Sequence, residues 1–462
     1  MTLIKSISGI RGTIGGFQGD NLTPIDAVKY AAAYGSWVKQ QRDKDNYKVI
    51  VGRDARISGN MMQQLVMNTL VGLGIHVVDL DLSTTPTVEV AVTLEHADGG
   101  IILTASHNPK QWNALKLLNH KGEFLDAEEG QKILDIAENG NINFSEVDDL
   151  GKITSNQAYI DIHIDEILDL PLVNVEAIKK AKFKVVVDGV NSTGGIAVPA
   201  LLEALGAEPV KLYCDPTGEF PHNPEPLKEH LGDLMKMVVD EHADFGIVVD
   251  PDVDRLAFVD ENGDMFGEEY TLVAVADYVL QNTPGNTVSN MSSSRALRDI
   301  TEKRNGNYTA SAVGEVNVVV KMKETNAVIG GEGNGGIIYP ELHYGRDSLV
   351  GIALFLSYLA DLRTSVSALR KTYTSYFMSK KKIQLTPQLD VDGILKAMEA
   401  KYASEEINTI DGVKIDFADN WVHLRKSNTE PIIRIYTEAK SQEEADNLAD
   451  KIIGEIKTIA NL

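Results

Sequence analysis

Three times along the chain a short Val/Ile-rich run ends in an Asp/Gly turn that is expected to lead into a helix, and this recurrence restricts the possible architectures more than any other feature. Tyr47-Lys-Val-Ile-Val-Gly-Arg-Asp54 is followed by an apolar-periodic stretch over 61–73. Lys184-Val-Val-Val-Asp-Gly-Val-Asn-Ser-Thr-Gly-Gly195 leads into a helical stretch over 197–205, and Phe245-Gly-Ile-Val-Val-Asp250 is the third instance. Apolar runs without alternation are strands buried on both faces, so strand and helix alternating in this way predict layered α/β units with largely parallel sheets. In such sheets ligands collect at the carboxyl ends of the strands, where these Asp/Gly turns fall.

A chain of 462 residues exceeds the ~250–300 residues at which a single core stops growing, so several domains are expected. The pattern divides as 1–155, 156–260, 261–370 and 371–462. The first three segments read as weakly repeated α/β units. The last reads helix, strand, strand, helix, with strands around Val413-Lys-Ile-Asp-Phe417 and Ile432-Ile-Arg-Ile-Tyr436, and is a smaller α+β domain. Helix starts are signed by Thr23-Pro24-Ile25-Asp26 and by Ser441-Gln-Glu-Glu444, the latter a capping box with Ala445, Leu448, Ile452 and Ile456 on the apolar face.

The formal net charge of -23 repels nucleic acid and anionic membrane, which removes both from the expected partners. An anionic small-molecule substrate would then need a locally basic site. The single cysteine, Cys214, allows no intramolecular disulfide. No signal peptide opens the chain and no apolar run approaches a membrane span, so the expectation is a cytoplasmic protein.

Four loops carry chemistry. Thr104-Ala-Ser-His-Asn-Pro109 follows the apolar run Gly100-Ile-Ile-Leu103 and places Ser106 in a sharp turn, exposed and fixed by the Asn-Pro end. Adjacent Ser106 and His107 are not expected to hydrogen-bond as nucleophile and base, and no G-x-S-x-G surrounds them, which argues against a Ser-His-Asp triad. Asp250-Pro-Asp-Val-Asp-Arg255 brings three carboxylates together as the chain turns, a set of hard oxygen ligands suited to Mg²⁺. It is not an EF-hand, because Arg255 stands where that loop requires Gly. A phosphatase with an aspartyl nucleophile would also show Asp-x-Asp, but would leave the Ser106 loop without a task.

Gly330-Gly-Glu-Gly-Asn-Gly-Gly336 is not a nucleotide P-loop, and its Glu332 and Asn334 can accept and donate hydrogen bonds to sugar hydroxyls. Arg425-Lys-Ser-Asn-Thr-Glu-Pro431, with Arg434 beyond, is the local basic site that the global charge requires. Its guanidinium groups suit phosphate oxygens.

Together these loops resemble the α-D-phosphohexomutase family of phosphoglucomutases, phosphomannomutases and phosphoglucosamine mutases. Thr-Ala-Ser-His-Asn-Pro and its pairing with Asp-x-Asp-x-Asp-Arg are specific to that family. Ser8-Gly-Ile-Arg-Gly12 and Gly52-Arg-Asp54 match it too. The resemblance implies four domains around a central cleft, three of them similar mixed-sheet α/β domains and the fourth smaller and able to swing. It implies Ser106 as phosphoserine and Mg²⁺ ligand beside Asp250, Asp252 and Asp254, Arg11 near the phosphoryl group, and Lys116 in proton transfer. It also implies Glu332 on the sugar hydroxyls, and Arg425, Ser427, Asn428, Thr429 and Arg434 on the distal phosphate. The expected reaction interconverts hexose 6-phosphate and hexose 1-phosphate through a sugar 1,6-bisphosphate, which also serves as activator. The enzyme would be a monomer or homodimer.

Many relatives write the sugar loop as Gly-Glu-x-Ser-Gly-His; here Asn334 and Gly336 replace the Ser and His, and Val316 stands where a basic residue is common. That variant resembles phosphoglucosamine-mutase-like members, so glucosamine phosphate is the expected substrate, with glucose or mannose phosphate the alternative. His343, in Pro340-Glu-Leu-His-Tyr-Gly-Arg-Asp347, reads as a structural histidine, with compensation for the absent loop histidine the other reading. A phosphatase or a non-catalytic sugar-phosphate-binding protein are the readings from other classes.

Overall fold

The computed structural model describes residues 2–6, 9–384, 390–426 and 432–460. It contains four sheets, and three of them repeat one arrangement.

In the first sheet the parallel strands Tyr47–Arg53, Ile75–Leu82 and Gly99–Leu103 lie with Tyr47–Arg53 in the middle, and Trp112–Leu118 returns antiparallel beside Gly99–Leu103. In the second, Lys184–Asp188 lies between parallel Glu208–Leu212 and Phe245–Val249, and Leu256–Val259 returns antiparallel. The third places Asn286–Asn290 between Tyr308–Ser311 and Ala327–Glu332, with Gly336–Ile338 antiparallel. Each unit thus runs strand, helix, strand, helix, strand, strand, helix. The last two strands are joined by a hairpin loop at the carboxyl end of the third strand.

This corrects one sequence expectation. The run Phe245–Val249 turns into an antiparallel strand, not into a helix. Its loop is closed by a tight turn in which the Val253 N–H donates to the Asp250 carbonyl, and Leu256–Val259 is as apolar as its partner. The first sheet adds Ile4–Ser6 and Gly9–Thr13 at one edge and Ile153–Ser155 at the other, making seven strands.

The fourth sheet is wholly antiparallel and has five strands, where sequence alone suggested two. The missed edge strand Phe377–Gln384 contains three consecutive lysines, which hide its period but blunt an edge against unwanted pairing. Helix Pro24–Gln41 begins with a complete capping box between Thr23 and Asp26. At Ser441 only half of the expected box forms: Ser441 accepts from the Glu444 N–H, and Glu444 does not reach back.

Helix Pro24–Gln41 packs Tyr30, Tyr34 and Trp37 into the core of the first unit. The second and third units share one continuous core, in which Phe258 and Phe355 stack at 3.9 Å between Phe245 and Phe266. A shared core fixes these two units relative to each other. The fourth unit has its own core around Ile415, Val422, Ile433, Ile435 and Ile452. It docks through polar contacts: Arg295 bonds Asp416, and Ser292 bonds His423. Among the described residues no helix is long and apolar enough to cross a membrane.

Candidate active site

Because the three α/β units repeat, their hairpin loops occupy equivalent positions, and packing brings them together. Ser106 sits in the loop between Gly99–Leu103 and Trp112–Leu118. Its φ of 48° is left-handed, a conformation that a non-glycine residue holds only when its surroundings enforce it. The Ser106 N–H donates to Thr104 Oγ1 at 3.0 Å, and its Oγ donates to Asp250 Oδ2 at 2.5 Å, across the boundary between the first two units. The serine expected to be exposed is only 7% exposed, because the acidic loop lies over it. The left-handed turn also brings His107 Nδ1 to 3.3 Å from Ser106 Oγ, so the two adjacent side chains do meet. Burial, with the nearby Arg255 guanidinium, pushes the His107 imidazole down to about 2, so it is neutral at physiological pH.

Arg56 enforces this loop. It is wholly buried, pairs with Asp54 at 2.9 Å, and donates to the carbonyl oxygens of Ser106, Asn108, Pro109 and Trp112. The Phe220 ring covers the guanidinium at 5.0 Å. Sequence reasoning noted Gly52-Arg-Asp54 but missed Arg56. The only cue was an arginine beside an Asp at a strand end.

The acidic loop is strained as well: Val253, between two of the carboxylates, has φ 66°. Asp250 Oδ1 holds the turn by accepting from the N–H groups of Asp254 and Arg255. Lys116 Nζ, on Trp112–Leu118, donates to Asp252 Oδ2 at 2.7 Å and to Asp254 Oδ2 at 3.2 Å, and Thr85 Oγ1 donates to Asp252 Oδ2 at 2.6 Å. All three carboxylates are fully buried, with one oxygen from each within 4.8 Å of the others. Burial and the neighbouring Asp254 and Asp252 raise Asp250 well above the carboxylate range. Asp254 goes the other way: burial opposes it, but Arg346 and Lys116 hold its proton off. The same carboxylates outweigh burial at Lys116 and keep it an ammonium, able to donate a proton but not to accept one.

Asp252 Oδ1 and Asp254 Oδ1 are buried without a hydrogen-bond partner. Unpaired buried carboxylate oxygens are costly, and hard oxygens converging on one point are the donor set of a divalent cation. The loop can therefore hold a metal ion.

Arg346 joins this centre to the third loop. One nitrogen donates to Asp254 Oδ2 at 2.7 Å, another to Glu332 Oε2 at 2.9 Å, and Nε to Glu315 Oε2 at 3.0 Å. Glu332 also accepts from Asn290 and from the Gly314 N–H. Asn334 accepts from the Gly336 N–H, within its own turn. Gly335 has φ 84°, and a Cβ there would overlap the Leu256 carbonyl of the second unit, so this loop docks only as glycine. Arg346 and Glu315 carried no sequence signal of function, because a buried three-carboxylate partnership depends on segments that meet only in the fold.

In the fourth unit Arg425 and Arg434 are cross-strand partners. Arg425 Nε lies 2.8 Å from Asp411 Oδ2. Burial and the Arg434 charge lower the Arg11 guanidinium, which places the first unit's arginine in the field of the fourth unit's. Ser427, Asn428 and Thr429 lie outside the described residues.

The four phosphoglucomutase/phosphomannomutase domains match in order: alpha/beta/alpha domain I over residues 3–143, domain II over 161–263, domain III over 267–376 and the C-terminal domain over 380–455. A phosphoglucomutase/phosphomannomutase of Thermococcus kodakarensis is 36% identical, covering 94% of this chain and 95% of that protein. A phosphoglucosamine/phosphogalactosamine mutase of Sulfurisphaera tokodaii is 32% identical over 98% and 97% of the two chains. A crystal structure of a phosphoglucomutase/phosphomannomutase family protein from Burkholderia thailandensis superposes with a TM-score of 0.85 at 26% identity, covering 99% of this chain and 98% of that one. With all four domains matched and the loops of its repeated units assembled into one centre, the chain belongs to the phosphoglucomutase/phosphomannomutase family and is a phosphohexomutase, an isomerase.

Proposed function

We propose that this phosphohexomutase interconverts glucosamine 6-phosphate and glucosamine 1-phosphate, with Ser106 as the phosphoryl carrier. The observation that carries the relay is the Ser106 hydroxyl 2.5 Å from Asp250, inside a buried triad that retains two unpartnered oxygens. Ser106, Asp250, Asp252 and Asp254 would hold Mg²⁺, which when bound neutralises charge on the phosphoryl oxygens.

The remaining roles fall to the chain's own residues. A free hydroxyl oxygen of the bound sugar monophosphate attacks the phosphorus on Ser106. The new O–P bond forms as the Oγ–P bond breaks, the proton lost by the hydroxyl is matched by one gained on Ser106 Oγ, and a 1,6-bisphosphate forms. After the bisphosphate turns over, Ser106 Oγ takes the other phosphoryl group and the isomeric monophosphate departs. Added sugar 1,6-bisphosphate would phosphorylate a bare Ser106 and so activate the enzyme. Lys116, held charged, offers a proton to the oxygen released. Arg11 balances charge near the phosphoryl group. Arg425 and Arg434, with Ser427, Asn428 and Thr429, would bind the distal phosphate, and Glu332 and Asn334 the sugar hydroxyls.

Two features support glucosamine. The sugar loop carries Asn334 and Gly336, with no histidine in it. Beside it, Glu332 and Glu315 share one guanidinium, which leaves carboxylate acceptor capacity for an ammonium at the sugar. Glucose and mannose phosphates are the competing substrates.

Intact mass and peptide mapping after incubation with glucosamine 1,6-bisphosphate and Mg²⁺ test the relay. One phosphoryl group on Ser106, absent in Ser106→Ala, is expected. Failure of both this donor and glucose 1,6-bisphosphate would leave a phosphatase or a silent sugar-phosphate-binding protein. For the sugar, a kcat/KM for glucose or mannose phosphate well above that for glucosamine phosphate overturns the assignment.

A further inference from the structure

Behind the catalytic loops lies a second cluster of titratable side chains that the reaction does not use. His163 comes from helix Tyr159–Leu168, Glu89 from helix Thr85–Leu94 of the first unit, and His343 and Asp347 from the segment that leads into helix Ser348–Leu362 of the third. The carboxylates and His163 are fully buried, and the His343 side chain is only 6% exposed. His163 Nε2 lies 3.0 Å and His343 Nε2 3.3 Å from the same oxygen, Asp347 Oδ2. The other Asp347 oxygen is engaged by the Leu349 and Val350 N–H groups at the helix start, which fixes the carboxylate's orientation.

We propose that His163, His343 and Asp347 form a second metal site for a borderline divalent cation, Zn²⁺ foremost, separate from the Ser106 centre. Three observations carry this. Donor atoms around a tetrahedral Zn²⁺ with ligands at ~2.0–2.1 Å stand about 3.3 Å apart; the two imidazole nitrogens lie 3.0 and 3.3 Å from Asp347 Oδ2, and one donor atom from each of the three residues lies within 4.8 Å of the others. Each histidine has its remote nitrogen against an oriented partner: His163 Nδ1 lies 3.0 Å from Thr87 Oγ1, and His343 Nδ1 lies 3.2 Å from Glu89 Oε2. That outer-shell arrangement is the one that turns imidazoles toward a metal. Finally, apart from that ion-pair contact with each other, Glu89 and His343 Nδ1 are buried with no partner. Bound there, the ion ties the helix of His163, in the second unit, to the segment of the third that carries His343 and Asp347.

The competing account is an ion-free network in which a protonated His343 bridges the two carboxylates. To separate the two, the full-length protein carrying Asp252→Asn, which weakens the acidic triad as a rival site, is titrated with Co²⁺ and then Zn²⁺. One equivalent of Co²⁺ giving visible d–d bands of tetrahedral intensity, displaced by Zn²⁺ and lost in Asp252→Asn/His163→Gln, is the expected result. If the double variant fails to fold by circular dichroism, anomalous scattering at the zinc edge from wild-type crystals decides: a peak between His163 and His343 upholds the site. Absence of d–d bands and of stoichiometric zinc, or a peak only at the acidic loop, overturns it.

Discussion

Arg425 and Arg434 stand directly opposite each other on adjacent antiparallel strands, with the Arg11 guanidinium of the first unit in the field of Arg434. Like charges in that relation cost ~0.2–1 kcal/mol in the absence of an anion. The arrangement is tolerable in a phosphate site, because a bound anion reverses the sign of the interaction. Arg425 has Asp411 beside it, so Arg434 is the more informative to remove. Arg434→Leu should leave the ligand-free Tm unchanged or raise it, while KM for the sugar phosphate rises about 10–100-fold, as expected for losing a charged hydrogen bond of ~1.5–3 kcal/mol. An unchanged KM would remove this residue from the phosphate site.

Lys116 spans Asp252 and Asp254. Taking away one partner of a buried ion pair typically costs ~3–5 kcal/mol, because the other charge is left uncompensated. Lys116→Met should therefore melt well below wild type, and millimolar Mg²⁺ should raise its Tm more than it raises that of wild type, with kcat remaining low. Equal Mg²⁺ stabilisation of both proteins would show that the ammonium and the ion do not share these carboxylates.

The Arg56 guanidinium serves four carbonyls and Asp54 at once. A lysine ammonium has three donors and no planar fork, so it cannot reproduce that pattern. Each buried carbonyl left without a donor costs ~1–3 kcal/mol. We expect Arg56→Lys to fold with a lowered Tm and to take up phosphate on Ser106 from the bisphosphate at least tenfold more slowly. Wild-type phosphorylation kinetics in the folded variant would reduce Arg56 to a purely structural part.

His423 joins the fourth unit to the third through Ser292 at 2.9 Å, and burial pushes its imidazole down to about 4. A group with a depressed folded pKa stabilises the fold above its unfolded value near 6.5 and loses that contribution as pH falls toward 4. Docking of the fourth unit should accordingly weaken over that window. Hydrogen exchange in Trp421–Lys426 should speed up between pH 6.5 and 4, after correction for intrinsic rates, and His423→Gln should flatten the dependence. The same slope in the variant would assign the effect to other groups.

The sequence by itself determined the repeated α/β plan, the family and the identity of the loops, because each rests on short contiguous stretches. Val/Ile runs declare buried strands, Thr-Ala-Ser-His-Asn-Pro and Asp-Pro-Asp-Val-Asp-Arg declare themselves by spacing, and Thr23 announces a helix start. What only the tertiary structure decided depends on segments far apart in the chain. The Ser106–Asp250 bond crosses 144 positions, His163–Asp347 crosses 184, and Arg346 reaches Asp254 over 92. Ser106 looked exposed because nothing local places an acidic loop of another unit over it. The strand after Asp250 looked like a helix start because an apolar run does not reveal the direction in which the chain returns. Arg56 and Arg346 could not be singled out, since a buried guanidinium is recognisable only by the carbonyls and carboxylates that fold around it.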